Sequence, residues 1–279
     1  MADAVTGRIR RYILDGTDED LRRLLAIAEI SAEMARAAFG RLGMRQGWTA
    51  IDCGCGPIGG LTVMAEMVGP TGRIVGVDFN AAAVQRARAV VSALELGNVE
   101  VVAGDLYELD PAALGGPFDL AYSRLFLMHQ ADPVRTLRRI AGLLRPGGWL
   151  VAQEALRFPT PRSHPQLEAL TGYWNLIYEL LDRAGVPPET VEDLPRSARE
   201  AGFEVAGMNG CFLTADPETV FGIHAATLAA ARERATHLGI AADKVDDLVR
   251  EIRAAKEGGY EWVSSPFYLD LALRKPTAA

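Results

Sequence analysis

Between residues 48 and 153, short apolar runs alternate with stretches of helical periodicity, and this rhythm constrains the fold more than any other feature. The segments 48–52, 73–78, 99–103, 118–122 and 149–153 read as strands. Helices are expected between them at 61–68, 81–96 and 133–144, stopped by Gly69-Pro70, by Gly97-Asn98 and by Arg145-Pro-Gly-Gly148. Strands joined through helices lie parallel, since a parallel pair needs a crossover of about a dozen residues. Strands that read apolar throughout are covered on both faces. The expected fold is α/β, a doubly wound and mostly parallel sheet.

The flanks carry other patterns. Thr17-Asp-Glu-Asp20 opens a helix, with Thr17 as its cap and acids at the positive end of its dipole. Its apolar positions, among them Leu21, Leu25 and Met34, recur at helical spacing to Phe39, before Gly40 and Gly43. After Glu154, Pro159, Pro161 and Pro165 break the alternation. Beyond them helices are expected at 167–184, 217–238 and 241–256; 196–201 leads through Gly202 into a strand at 203–213, and a last strand is expected at 266–273.

The most informative segment is Ile51-Asp-Cys-Gly-Cys-Gly-Pro-Ile-Gly-Gly60. Here a strand runs into a glycine-rich turn, where the backbone can approach a ligand closely, and then into a helix whose N-terminus offers unpaired N–H groups. Gly54-x-Gly56-x-x-Gly59, with Asp78 at the tip of the next strand, matches the dinucleotide fingerprint. S-adenosylmethionine, which has a ribose but no phosphates, fits the same letters. Three features favour it. Asp52 at the strand tip would repel a pyrophosphate and attract the cationic amino acid end of S-adenosylmethionine. Gly104-Asp105 places a carboxylate where it can accept from an adenine amino group. Leu143-Leu-Arg-Pro-Gly-Gly-Trp-Leu150 leads into the fifth strand.

Taken in order, these segments resemble a class I S-adenosylmethionine-dependent methyltransferase, similar to bacterial small-molecule enzymes of the ubiquinone-biosynthesis type. The resemblance covers about 48–153. Ile58 stands where the family often carries a third glycine, and Gly59 is expected to compensate. The resemblance implies a seven-stranded sheet with a terminal antiparallel strand, a helical N-terminal lid, and helical insertions after strands five and six. It divides the chain into a lid (1–43), a cofactor-binding core (44–155), and cap segments plus the last two strands (156–279). Asp52, Gly54 and Gly56 would line the methionine moiety, and Asp78 would hold the ribose, with Phe79 beside the adenine. Gly104 belongs to the same site, and Asp105 and Leu106 would contact the adenine. Ser123 and Arg124 would face donor and acceptor, and Tyr12 would fold over the cofactor.

His129 is a candidate base near the acceptor, having a near-neutral pKa, and Glu154 is a second, with a solvated edge acid as its plainer reading. His164, His224 and His237 have no partners at metal-ligand spacing and read as structural, so no metal site is expected. Cys53 and Cys55 read as small packed residues of a tight turn. Tyr173, Trp174, Ile177 and Tyr178 read as a packing face, or more sharply as a cover for a flat acceptor.

Composition narrows the partners. Hydrophobic residues at 49% and charged residues at 23% are globular proportions. With 36 acids against 29 bases the net charge is -7, which argues against nucleic acid. Three cysteines fit no disulfide framework and point to the cytoplasm. No run approaches the roughly 18 apolar residues that span a bilayer, so a membrane association is not expected. The expected activity is transfer of a methyl group from S-adenosylmethionine to an O, N or C atom of a small molecule, a secondary metabolite, leaving S-adenosylhomocysteine. A non-methylating enzyme on the same fold, such as a cyclase, is the alternative; an NAD(P)-dependent oxidoreductase is a weaker one. The helices after residue 156 could equally hold a homodimer together.

Overall fold

A computed structural model of the chain describes residues 19–157, 161–187 and 189–277. Its core begins with α1 (Glu19–Arg41), β1 (Thr49–Cys53), α2 (Leu61–Val68), β2 (Arg73–Asp78), α3 (Ala81–Ala93) and β3 (Val99–Ala103). Next come β4 (Phe118–Arg124), one tight helical turn (Leu127–His129), α4 (Pro133–Leu143) and β5 (Leu144–Ala155). The remainder holds β6 (Ser163–His164), α5 (Glu168–Arg183), α6 (Leu194–Glu200), β7 (Glu204–Ala215), α7 (Pro217–His237), α8 (Ala242–Ala255) and β8 (Trp262–Arg274).

The main path of the sheet runs β3-β2-β1-β4-β5-β8, and β7 pairs with the outer side of β8. β1 to β5 are parallel, whereas β8 is antiparallel to both β5 and β7. Seven strands were expected, and among the described residues there are eight. The extra one, β6, exists because β8 outruns β5: Val263 pairs with Ser163 and also with Ala215 of β7. β5 also begins earlier than its apolar run, because Leu144 already pairs with Phe118 before the register shifts to Leu120 and Trp149.

Strand order reverses between β1 and β4, whose registered residues include Asp52 and Tyr122. In open sheets of this kind ligands bind at the carboxyl ends beside that reversal. One sheet face is covered by α4 and α6 through Leu137, Ile140 and Leu194. The other is covered by α1, α2 and α3 through Phe39, Met64 and Val84. Phe39 meets Tyr122 edge-on, with ring centroids 5.1 Å apart. Full burial of such a side chain contributes about 1.5–3 kcal/mol. A separate apolar cluster joins α5, α7 and α8 through Leu170, Phe221 and Ile252, in the segment that the resemblance implies is a cap.

Local signals set the helix starts. Asn80 caps α3 by accepting from Ala82 and Ala83 N–H, and Asp132 caps α4 ahead of Pro133. α1 packs along α7, and Glu19 pairs with Arg253 of α8 at 2.7 Å. At its other end Arg41 pairs with Asp270 of β8. Thr17 and Tyr12 lie outside the described residues. No helix among the described residues is long and apolar enough to cross a membrane.

Candidate active site

The glycine loop after β1 is pinned to β2, because Gly54 and Cys55 N–H both donate to the Val77 carbonyl, at 2.8 and 3.0 Å. Gly54 sits at φ +75°, a conformation that side-chain-bearing residues rarely adopt. Gly59 also has positive φ and takes the turn. Ile58 is 3% exposed and packs with Leu21, Leu25 and Val90. That apolar contact explains why this chain carries no glycine there. A side chain at Gly56 would meet open space, so a ligand can approach the backbone from that side.

Asp52 is 1% exposed, and its Oδ2 accepts from Gly60 N–H at 2.6 Å. Burial pushes its carboxyl up to about 7, against the pull of the Gly60 N–H and the Arg124 guanidinium, with the Asp78 charge adding to the rise. Arg124 reaches across from the end of β4 and donates to the Gly59 carbonyl at 3.1 Å. At the tip of β2 Asp78 accepts from Gly56 N–H through Oδ2 and from Asn80 N–H through Oδ1, both at 2.8 Å. Each of those oxygens keeps a second lone pair. The neighbouring Phe79 is 82% exposed.

Gly104 N–H donates to the Asp78 carbonyl at 3.0 Å, which aligns the tips of β2 and β3. Asp105 is exposed, and its carboxylate accepts from Tyr107 N–H at 2.9 Å. The structure thus gathers Asp52, Gly54, Gly56, Asp78, Phe79, Gly104 and Asp105 around the ends of three adjacent strands. Leu106 differs: its side chain is buried in the core, and its carbonyl accepts from Arg139. Ser123 is fully buried on the sheet face that also carries Glu154.

Glu154 is no solvated edge acid. It is buried and accepts from the N–H groups of Phe126 at 3.0 Å, Leu127 at 3.0 Å and Met128 at 3.2 Å. Burial raises its carboxyl to about 7 in spite of these three donors and the Ser123 hydroxyl, which lower it. A carboxylate committed to backbone N–H groups holds a loop and has little capacity left to take a proton from an acceptor. The loop it holds carries Phe126, whose ring lies against Gly54.

His129 is exposed by area, yet crowded by protein from most directions. That crowding, and then the Arg234 cation, push its pKa down to about 4, so the imidazole is neutral at physiological pH. Cys53 and Cys55 are buried, and burial pushes both thiols up, which removes them as nucleophiles. Among the described residues no group of three or more His, Cys, Asp or Glu is arranged to hold a metal ion. A groove of about 310 Å³ lined by Arg88, Leu96 and Val101 lies beside the edge strand β3; it includes none of the residues gathered at the strand tips.

Sequence reasoning missed Phe126 and Gly60. Gly60 follows Gly59 directly, and a second glycine at the helix start is the signal that an acid could approach its N–H. Phe126 left no signal, because its place over Gly54 depends on the pairing of β1 with β4.

The geometry favours one of the two candidate cofactors. A pyrophosphate needs unpaired N–H groups at the start of α2. Gly60 N–H is held by Asp52, and Leu61 N–H by the Ile58 carbonyl at 3.0 Å. A buried carboxylate at that point suits a cation. The open face at Gly56, the acid at Asp78 and the uncovered Phe79 ring fit a methionine–ribose–adenine ligand.

Comparison with known proteins agrees. Residues 45–201 match the family model described as a methyltransferase domain. The chain is 31% identical over 155 residues to a trans-aconitate 2-methyltransferase from Azoarcus sp., covering 56% of this chain and 57% of that one. It is 33% identical over 181 residues to an uncharacterized 37.1 kDa protein in a transposon of Streptomyces fradiae, covering 65% of this chain and 50% of the relative. The chain therefore spans about half the length of these curated relatives. Among solved structures, that of the [4+2]-cyclase SpnF aligns over 89% of this chain and 82% of its own, with a TM-score of 0.57 at 21% identity, a likeness of fold alone. With the family model matching more than half of its residues and the acid-tipped strands in place, the chain belongs to the class I S-adenosylmethionine-dependent methyltransferases.

Proposed function

We propose that this chain transfers a methyl group from S-adenosylmethionine to a small molecule, and that Asp52, Gly54, Gly56, Asp78, Phe79, Gly104, Asp105 and Arg124 form the donor site. The observation that carries the reading is the buried Asp52 carboxylate on Gly60 N–H at 2.6 Å, which leaves the glycine loop fit for a cation and unfit for a pyrophosphate.

In this reading the S-adenosylmethionine sulfonium supplies the methyl group and is already a good leaving group. The C–S bond breaks as the new bond to the acceptor forms, and sulfur keeps the electron pair. The chain's own residues align the two reactants and exclude water, which is how proximity lowers a barrier. Asp52 draws the cationic end of the donor to the loop, and Asp78 accepts from the ribose hydroxyls. Leu106 contributes through its backbone, and Ser123 acts from behind the loop. Tyr12 stays in the proposal as a cover over the donor, outside the described residues.

His129 is the proposed proton acceptor for a hydroxyl or amine. It is unprotonated at neutral pH, although its depressed pKa makes it a weak base. The acceptor belongs to secondary metabolism, and the protein works in the cytoplasm.

Calorimetric titration with S-adenosylmethionine, and separately with NADH, tests the donor site. Micromolar binding of the first alone is expected. Binding of NADH alone would overturn the proposal. Tight donor binding with no S-adenosylhomocysteine formed across a broad acceptor panel would turn the reading toward a non-methylating enzyme on the same fold.

A further inference from the structure

We propose that the aromatic cluster of α5 and α7 binds the far end of the methyl acceptor, and that this end is an uncharged hydroxyl or carbonyl oxygen on a flat ring, held by His224 and the Trp174 indole N–H. The inference rests on the methyl-transfer reading above and names the substrate class of that site.

His224 is 3% exposed and Trp174 is 5% exposed. Neither ring nitrogen of His224 has a hydrogen-bond partner, and neither does Trp174 Nε1. An unpaired buried donor or acceptor costs about 1–3 kcal/mol, and folded proteins seldom tolerate one without a functional reason. Here the orphans share one cluster. The Tyr173 and His224 rings lie 4.5 Å apart between centroids. Trp174 stands edge-on to both, 4.8 Å from Tyr173 and 5.8 Å from His224.

The cluster lies beyond the carboxyl end of β5, the end of the sheet at which the glycine loop also stands. Trp174 packs on Tyr178, whose hydroxyl donates to the Arg157 carbonyl at 2.7 Å, just past the carboxyl end of β5. Beside that point the buried Tyr268 of β8 pairs with Ala155, the last residue of β5. Arg124 donates to the Gly59 carbonyl. In this proposal an acceptor reaches from the donor site past the end of β5 and presents one end to the donor and the other to His224.

The chemistry of the far end follows from the groups waiting there. Burial alone depresses the His224 pKa, with no cation contributing, so the imidazole is neutral and offers one donor and one acceptor. The indole offers a donor only. A carboxylate would have to shed its water in this buried wall, where no cation acts on His224 itself, at high cost. A phenol or ring carbonyl oxygen satisfies the same atoms without charge, and aromatic walls favour a flat ring.

The test uses the whole protein, saturated with S-adenosylhomocysteine and titrated calorimetrically with a naphthalenediol and with a naphthalenedicarboxylate. The diol is expected to bind and the dianion to bind at least about tenfold more weakly. His224→Leu and Trp174→Phe should each weaken the diol about tenfold, the equivalent of one hydrogen bond to a buried group, and leave S-adenosylhomocysteine affinity unchanged. If one variant fails to fold, the other carries the measurement. The inference is overturned if the wild type holds S-adenosylhomocysteine but not the diol, or prefers the dianion. It is equally overturned if both variants bind the diol like the wild type, which is what a packing role alone gives. Failure of the wild type to bind S-adenosylhomocysteine would instead remove the methyl-transfer reading, and this inference with it.

Discussion

The ring of Phe126 occupies the space that a side chain on Gly54 would need. The two residues follow different strands, β4 and β1, which are paired at Asp52 and Tyr122. Phe126 cannot drift, because its own N–H is held by the Glu154 carboxylate at 3.0 Å. The loop proposed to bind the donor and the loop on the acceptor side are therefore interlocked through one ring.

Gly54→Ala should break that interlock. Its Cβ would overlap a backbone-anchored ring, and φ of +75° is strained for alanine. We expect a loss of about 1–3 kcal/mol in denaturant unfolding and at least tenfold weaker S-adenosylmethionine binding. Adding Phe126→Ala should recover part of both losses, since it removes the overlap but leaves the φ strain. A Gly54→Ala chain with unchanged stability and binding would contradict the geometry.

Asp52 should make donor binding depend on pH. Its carboxyl titrates near 7, and the ionised form is the one that attracts a cation. Wild-type affinity for S-adenosylmethionine should rise between about pH 6 and pH 8, and Asp52→Asn should bind about tenfold more weakly with that dependence gone. The stability effect has the opposite sense. A folded pKa raised above the unfolded 3.8 favours folding when protonated, and this contribution is lost as pH rises through 7. Relative to the wild type, Asp52→Asn should therefore look more stable at about pH 8 than at pH 5. Equal pH profiles in calorimetry would remove Asp52 from the donor site.

His129 and Glu154 should separate in kinetics. His129→Ala should lower kcat about tenfold or more, with S-adenosylmethionine affinity intact, if it takes the acceptor proton. Unchanged turnover would strike it from the proposal. Glu154→Gln puts an amide NH₂ among the three N–H groups its carboxylate now accepts from, so it should destabilise the fold by about 1–3 kcal/mol. Because the wild-type carboxyl titrates near 7, that deficit should shrink as pH rises through this value.

His224 should leave a mark on acid stability. Its folded pKa near 3 lies below the ordinary 6.5, so its contribution is present above pH 6.5 and fades as pH falls toward 3. His224→Leu abolishes this fading. The stability difference, variant minus wild type, should grow by about 1.4 kcal/mol per pH unit between roughly pH 6 and pH 4 in urea titrations. A constant difference would mean that the imidazole is protonated in the fold.

Much of the architecture was legible because strand and helix periods differ and each acid-tipped strand announces its own end. β2 and β3 have the bounds that their apolar runs predict. Strand overlap was not legible: β6 comes from the length by which β8 outruns β5, and two residues carry no period. Glu154 was misread because an acid at a strand tip looks the same in sequence whether water or three N–H groups surround it. His224 read as structural on the absence of ligand spacing, yet nothing in its neighbours along the chain shows that both its nitrogens go unpaired. The antiparallel end of the sheet, by contrast, followed from the resemblance and is present in β8.

α1 holds no group proposed to react, yet it is fastened at three points: to β8 by Arg41 and Asp270, to the glycine loop by Leu21 and Leu25 against Ile58, and to α8 by Glu19 and Arg253. A bar attached in this way links β8, which has β5 on one side and β7 on the other, to α8. One helix thereby joins three parts of the chain that lie far apart in sequence: the last strand, the turn after β1 and the helix before β8.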